Sequence, residues 1–217
     1  MSDNWLHAEW PAPANIIAGT TLRQGSASDL PVAPQWLHQV HGTGVVRAGS
    51  SDFDHGPPDA DAIIANRPGD ICVVQTADCL PILLCSFDGT EIAAVHGGWR
   101  GLADGIVEAT VAAMSKLPSE LMAWFGPAIS QAAFEVGDEV RERFGLSGAN
   151  DTGPFVANER GRWQADLYEL ARARLRKIGV AAIHGGGLCT FSDAERFFSY
   201  RRDGKTGRLL SFIYRES

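Results

Sequence analysis

Apolar residues along this 217-residue chain fall in short runs, mostly bounded by Gly, Pro or Asp. That pattern predicts strands over residues 35–40, 62–65, 71–76, 82–86, 91–96, 121–125, 180–184 and 210–214. Helices are fewer and clearer. From Leu102, residues Ile106, Val107, Thr110, Val111, Met114 and Leu117 recur at the spacing of an amphipathic helix that stops before Pro118. Asp166 with Glu169 reads as a capping box opening a second helix through Leu170, Leu175 and Ile178 to Gly179. A third is predicted over residues 137–144, and Ser192 with Glu195 is read as the cap of a short fourth. Strands and helices mix without regular alternation, so α+β is expected rather than a doubly wound sheet. Exposed loops are expected over residues 49–58 and around 146–154. No linker or repeat divides the chain, so residues 1–217 are expected to form one domain.

Three segments place a metal-capable side chain at an abrupt break in this pattern. In Gln39-Val40-His41-Gly42-Thr43-Gly44, His41 ends a strand. On an extended chain Leu37, Gln39 and His41 share one face, while Trp36, His38 and Val40 share the other, so His38 and His41 are not expected to act together. Thr76-Ala77-Asp78-Cys79-Leu80-Pro81 is a polar interruption between two apolar strands, which costs stability and invites a functional reason. Val95-His96-Gly97-Gly98-Trp99-Arg100-Gly101 joins a strand to the clearest helix.

One Cys and two His suit a zinc site with three protein ligands and an open fourth position. Water bound there titrates near ~7 and so yields a nucleophile at neutral pH. Spacing alone does not join His41, Cys79 and His96, and a strand-end His is more often a core or surface residue. Copper is an alternative, because the same donors accept either metal. The glycines before the helix expose backbone N–H groups, and Arg100 adds positive charge, so an anion such as phosphate is a candidate ligand. The plainer reading is a tight turn that uses Gly for φ > 0. Near the C-terminus, Phe198-Ser199-Tyr200-Arg201-Arg202-Asp203-Gly204 offers paired arginines, or simply a hairpin turn with solvated charges.

Composition narrows the partners. Nineteen basic against 26 acidic residues give a net charge of −7, the wrong sign for a general grip on nucleic acid. Arg172, Arg174, Arg176 and Lys177 lie toward a helix C-terminus, where cations complement the dipole, and are read as a solvated face. The longest apolar run, Leu80 to Cys85, is far shorter than the ~20 residues of a membrane span. The start Met1-Ser2-Asp3-Asn4-Trp5 lacks a basic and then apolar leader, so a cytoplasmic protein is expected. Four cysteines without a C-x-x-C do not form a disulfide framework or a zinc ribbon, and Cys72 and Cys85 are expected in the core.

The chain resembles the bacterial laccase-domain, or polyphenol-oxidase-like, proteins, also called the peptidoglycan editing factor family. The resemblance is carried by Gln39-Val40-His41-Gly42, Ala60-Asp61-Ala62, Thr76-Ala77-Asp78-Cys79-Leu80-Pro81, His96-Gly97-Gly98-Trp99-Arg100-Gly101, Gly126-Pro127-Ala128-Ile129, Phe134-Glu135-Val136-Gly137 and the Phe198–Gly204 motif, in family order. It implies a four-layer α/β/β/α sandwich with mixed sheets, as in cysteine-dependent toxin deamidases. It also implies a zinc site at His41, Cys79 and His96, and phosphorolysis of adenosine, inosine and methylthioadenosine with adenosine deamination alongside. The sequence departs from the family at Gln131-Ala132-Ala133-Phe134, where cysteines often stand, which removes any role for a further cysteine there. The laccase label itself fails by counting. Six histidines, with His7, His38, His55 and His184 scattered, are too few for four coppers.

Three functions follow as expectations. The first is a zinc-dependent purine nucleoside enzyme taking small-molecule nucleoside and phosphate, as a monomer or homodimer. In it Cys79, His96, Asp78 and Arg100 are catalytic, with Asp78 the proton carrier of deamination, and Gln39, Arg201 and Arg202 contact substrate or phosphate. His7-Ala8-Glu9 matches half of the cytidine-deaminase signature, but the P-C-x-x-C half is missing, so any deaminase here is of another kind. The second is a cysteine amidase acting on peptidoglycan precursors, with Cys79 as nucleophile and His96 as base. The third is a zinc-stabilised binding module, disfavoured because structural zinc usually closes its fourth position with another protein ligand.

Overall fold

The computed structural model describes residues 4–145 and 153–216. The loop expected around 146–154 lies outside them but for Gly153 and Pro154, as do the first three residues of the start segment. In chain order the elements are β1 (Trp5–His7), β2 (Ile16–Thr21), β3 (Val45–Arg47), β4 (Ala62–Ala65), β5 (Ile71–Thr76), β6 (Leu80–Ser86) and β7 (Ile92–Gly97). There follow α1 (Trp99–Asp104), α2 (Ile106–Ala113), β8 (Leu121–Phe125), β9 (Glu135–Val136), α3 (Asp138–Arg143), β10 (Phe155–Ala157) and β11 (Trp163–Ala165). The chain ends with α4 (Leu167–Lys177), β12 (Ala182–Gly185), α5 (Tyr200–Asp203) and β13 (Leu209–Arg215).

The architecture is α+β. A six-stranded mixed sheet runs β12-β8-β6-β7-β4-β3, a four-stranded sheet runs β1-β2-β13-β5, and β10-β11-β9 form a small third sheet. The continuous apolar runs are explained by burial on both faces. Ile64, Ile82, Leu84, Val95 and Phe125 turn to one side, against Leu102, Ile106 and Val111 of α1 and α2 and Leu170 and Leu175 of α4. Their neighbours Ile63, Leu83, Cys85, Ala94 and Trp124 turn to the other, against Cys72, Val74 and Ile213 of the four-stranded sheet. Cys72 and Cys85 are thus core residues. The outer face of that second sheet, with Val73 and Phe212, is covered by Leu30, Val32 and Trp36. Leu30 directly follows a 3-10 turn (Ala27–Asp29).

Strands β4, β5 and β8 have the bounds expected from sequence. The long helix is split: Gly105 takes φ 101° between α1 and α2. It also ends early, at Ala113, because Ser115 turns out to donate its N–H (2.8 Å) and hydroxyl (3.1 Å) to the Glu91 carboxylate. Asp166 caps α4 as expected, accepting from the Glu169 N–H at 3.0 Å. The helix expected at Ser192 is a turn. The helix forms instead at Tyr200, where a hairpin turn was one reading, and Ser199 caps it by accepting from Arg202 N–H at 3.2 Å. Residues 35–40 form no ladder; their one bridge joins His38 to Asp59. In α4, Arg172 and Arg174 are not merely solvated: Arg172 pairs with Glu169 at 2.8 Å, and Arg174 with Glu108 at 3.0 Å and the Ala103 carbonyl at 2.8 Å.

Candidate active site

Strand register assembles the site. In the β6–β7 pair, Leu80 faces Gly97 and Pro81 faces His96, so Cys79, one residue before β6, lies beside the end of β7. In the β4–β7 pair, Ala62 faces Val95, which sets Asp61 opposite His96. The polar break between β5 and β6 is where the chain leaves the four-stranded sheet for the six-stranded one. Among the described residues two that are not glycine have left-handed backbones, Asp78 in this break at φ 100° and His41 before β3 at φ 60°. Such conformations persist only where surrounding contacts enforce them.

The structure brings His41, Cys79 and His96 together, with one donor atom of each within 4.8 Å of the others. Among the described residues this is the one such cluster of His, Cys, Asp and Glu. His41 Nε2 lies 3.8 Å from Cys79 Sγ. His96 is 3% exposed, and its Nδ1 donates to Asp61 Oδ1 at 2.7 Å, which leaves Nε2 for the cluster. Two imidazoles and a thiol at this separation fit a metal ion with a position left for a further ligand. Gly98 makes the cradle: a β-carbon there would stand 2.8 Å from His41 Cδ2 and 3.3 Å from Cys79 Sγ. Its own φ is −64°, so the glycine provides room rather than the positive φ expected from the sequence.

Without a metal the cluster is a polarised pair. Burial alone raises the Cys79 thiol, but the neighbouring His96 charge and hydrogen bonds from His41 and His96 outweigh it and bring it down to about 6. Burial disfavours the charged His96 imidazole, yet Cys79 and Asp61 raise it to about 9.

The cluster opens into a cavity of 570 Å³, large enough for a small organic ligand with its polar partners. Leu37, Gln39 and His41 all line it, so the alternation read from the sequence holds although that stretch is not a strand. His38 turns away and pairs with Asp59 at 2.6 Å. Trp99, Arg100, Phe134, Tyr200, Arg201 and Arg208 form much of the remaining wall.

Several of the expected site residues are engaged in contacts of their own. Gln39 lines the cavity, but its amide is engaged by the Gln75 backbone, donating to the carbonyl and accepting from the N–H at 2.8 Å each. It fastens the His41 loop to β5. Asp78 accepts from the Thr190 hydroxyl at 2.6 Å and from the Arg201 N–H at 2.7 Å, so both its oxygens anchor neighbours instead of standing free to carry a proton. Arg202 does not line the cavity. Its guanidinium donates to the carbonyls of Thr190, Phe191 and Phe197 and pairs with Asp203. Arg208, which the sequence did not single out, lines the cavity. Leu209 pairs with Thr76, which carries Arg208 to the same sheet end, but that register is invisible before folding. Arg100 lies over the Trp99 ring at 4.4 Å, and Arg201 over Phe134 at 5.4 Å. Asp61 was also missed as a site residue, although its Ala-Asp-Ala setting flagged an acid entering an apolar strand.

The model of the multi-copper polyphenol oxidoreductase laccase family matches residues 15–216. A Pseudomonas aeruginosa protein named as a purine nucleoside phosphorylase is 44% identical over 97% of this chain and 98% of its own length. The Escherichia coli purine nucleoside phosphorylase YfiH is 48% identical over 87% of this chain and 76% of its own. Among solved structures, a Neisseria meningitidis protein superposes with a TM-score of 0.90 at 41% identity, covering 99% of this chain and all of the other. YlmD from Geobacillus stearothermophilus superposes at 0.85 with 27% identity, over 100% and 98% of the two chains. Sequence, fold and site lead to one conclusion: the chain belongs to the multi-copper polyphenol oxidoreductase laccase family.

Proposed function

We propose that this chain is a metal-assisted purine nucleoside phosphorylase. It cleaves adenosine, inosine and methylthioadenosine with phosphate, and deaminates adenosine as a companion activity. The observation that carries the reading is the union, in one cavity, of the His41–Cys79–His96 cluster with Arg100, Arg201 and Arg208. A dianion and a nucleoside need those two halves together. The names of the Pseudomonas and Escherichia relatives support the same reading.

His41, Cys79 and His96 would hold zinc, with copper the alternative. When bound, the ion supplies Lewis acidity and activates water for deamination. The arginines bind phosphate and aim one oxygen at the anomeric carbon. A C–O bond forms there as the C–N glycosidic bond breaks, its electron pair leaving on the base nitrogen, which then takes a proton. The ribose passes through oxocarbenium character, as in glycoside cleavage generally. Tyr200, 62% exposed at the cavity wall, offers a ring face to the purine. Asp78 holds the Arg201 backbone in register with Cys79.

The test is product analysis of adenosine turnover by the purified zinc-loaded protein, with and without phosphate. Adenine and ribose 1-phosphate formed only with phosphate are the expected result, with inosine as the deamination product. No base and no inosine from a protein holding one zinc per chain overturns the reading.

One observation favours a second reading. Cys79, His96 and Asp61 stand in the order of nucleophile, base and orienting acid, the arrangement of a cysteine amidase acting on a cell-wall precursor. Chelation separates the two, since such an amidase stays active without metal.

A further inference from the structure

Asp61 is wholly buried one residue before β4, and among the described residues none of its hydrogen-bond partners is a lysine or arginine. A buried carboxylate is costly unless it is paired and each oxygen is hydrogen-bonded, and the His96 imidazole is its ion-pair partner. Here Oδ1 accepts from His96 Nδ1 at 2.7 Å and from the His41 N–H at 2.9 Å. Oδ2 accepts from the Gly42 N–H at 2.7 Å and the Val40 N–H at 3.2 Å. The Asp61 carbonyl also accepts from the His96 N–H at 2.7 Å. One residue thus grips the ring of one candidate ligand and the left-handed backbone of the other.

From this geometry we infer that Asp61 is the positioning residue of the metal centre: it fixes the His96 tautomer and the His41 loop together. A carboxylate can only accept, so Nδ1 must carry a proton, which makes Nε2 the nitrogen available to a metal once the imidazole is neutral. A carboxylate behind a metal-bound histidine also raises its basicity and fixes its ring. The three N–H bonds around His41 hold a backbone that its side chain would not adopt freely. Asparagine in this place retains the shape but keeps one acceptor oxygen, so an amide N–H meets either the His96 ring and His41 N–H or the Gly42 and Val40 N–H groups, and one grip is lost. This inference rests on the metal reading proposed above.

The experiment compares zinc affinity of the full chain and its Asp61→Asn variant by competition with a chromophoric chelator. Circular dichroism and metal-free Tm verify folding. A folded variant whose zinc Kd rises on the order of 10–100-fold is expected. A folded variant that binds zinc as the unaltered chain does overturns the inference. Should the variant not fold, long-range proton–nitrogen NMR of the unaltered chain decides. Zinc on His96 Nε2 with a protonated Nδ1 supports the inference, and zinc on Nδ1 sinks it. If the unaltered chain binds no zinc, the metal reading fails by itself. The NMR of the metal-free chain at alkaline pH then still tests the tautomer, with a proton on Nε2 rather than Nδ1 overturning it.

Discussion

Gly98 and His41 meet where no side chain fits, since a β-carbon on Gly98 would lie 2.8 Å from His41 Cδ2. That hypothetical atom would also stand 3.3 Å from Cys79 Sγ. The conformation of Gly98, φ −64° and ψ 151°, is open to any residue. What the position demands is space, and the space belongs to the candidate metal ligands.

The Gly98→Ala variant is therefore expected to fold, with its Tm little changed, while its zinc affinity falls by about tenfold or more through a displaced His41. Isothermal titration with zinc beside a thermal melt checks it. Unchanged affinity would mean that His41 is not a ligand, or that its loop yields freely. Ala at Gly56, which has open space around its β-carbon position but φ 106°, is the contrasting control, expected to lower the Tm and leave zinc binding intact.

Asp78 decides between anchoring and proton transfer. Its carboxylate holds the Thr190 hydroxyl and the Arg201 N–H, and its φ of 100° is one that asparagine tolerates. Asp78→Asn keeps one acceptor and loses the other. As an anchor it should raise the KM for phosphate several-fold and leave kcat for deamination within a few-fold. A loss of inosine formation on the order of 100-fold, with phosphate KM unchanged, would return Asp78 to the role of proton carrier.

The parts legible in the sequence were those fixed by local pattern. β4, β5 and β8 are apolar runs with polar stops, and α4 announces itself by Asp166 and Glu169. His41, Cys79 and His96 stood out singly because each breaks such a run. What joined them was register: Pro81 opposite His96 and Ala62 opposite Val95 are pairings between distant segments. No local spacing encodes them. Which of Arg202 and Arg208 lines the cavity is likewise not written in local sequence. Two adjacent arginines on α5 look alike in sequence, and both guanidinium groups donate to backbone carbonyls, yet Arg201, bound to Ala133 and Glu135, lines the cavity while Arg202 turns to Thr190, Phe191 and Phe197. The short strands β1, β3, β9, β10 and β11, two or three residues each, leave too little pattern to read.

The three arginines at the apex of α5 and before β13 should separate cleanly. Arg201→Ala and Arg208→Ala each remove a cation from the cavity wall and are expected to raise the phosphate KM by on the order of tenfold. Arg202→Ala removes bonds to three carbonyls and is expected to lower the Tm by roughly 2–4 °C per kcal/mol lost, with phosphate KM unaffected. Steady-state kinetics with varied phosphate and a melting curve distinguish them. An Arg202 variant that loses phosphate affinity while keeping its Tm would reverse the assignment.

The metal-free protein should betray the Cys79–His96 pair by its reactivity. The thiolate is the form that alkylates, and it predominates above the thiol's own pKa. With Cys79 brought down to about 6 from a usual 9.0, iodoacetamide labelling should rise through about pH 6 and level off by neutrality. Cys72, buried and raised well above 9.0, and Cys85, pushed up to about 12, should stay silent over that range. His96→Gln removes the positive neighbour while burial remains, so the midpoint should move upward toward 9.0 or beyond. Zinc added before alkylation should protect Cys79 at every pH. Mass spectrometry of the labelled peptide reads each outcome. A midpoint that stays near 6 in the His96→Gln variant would transfer the activation of the thiol to His41, whose Nε2 lies 3.8 Å from the sulfur.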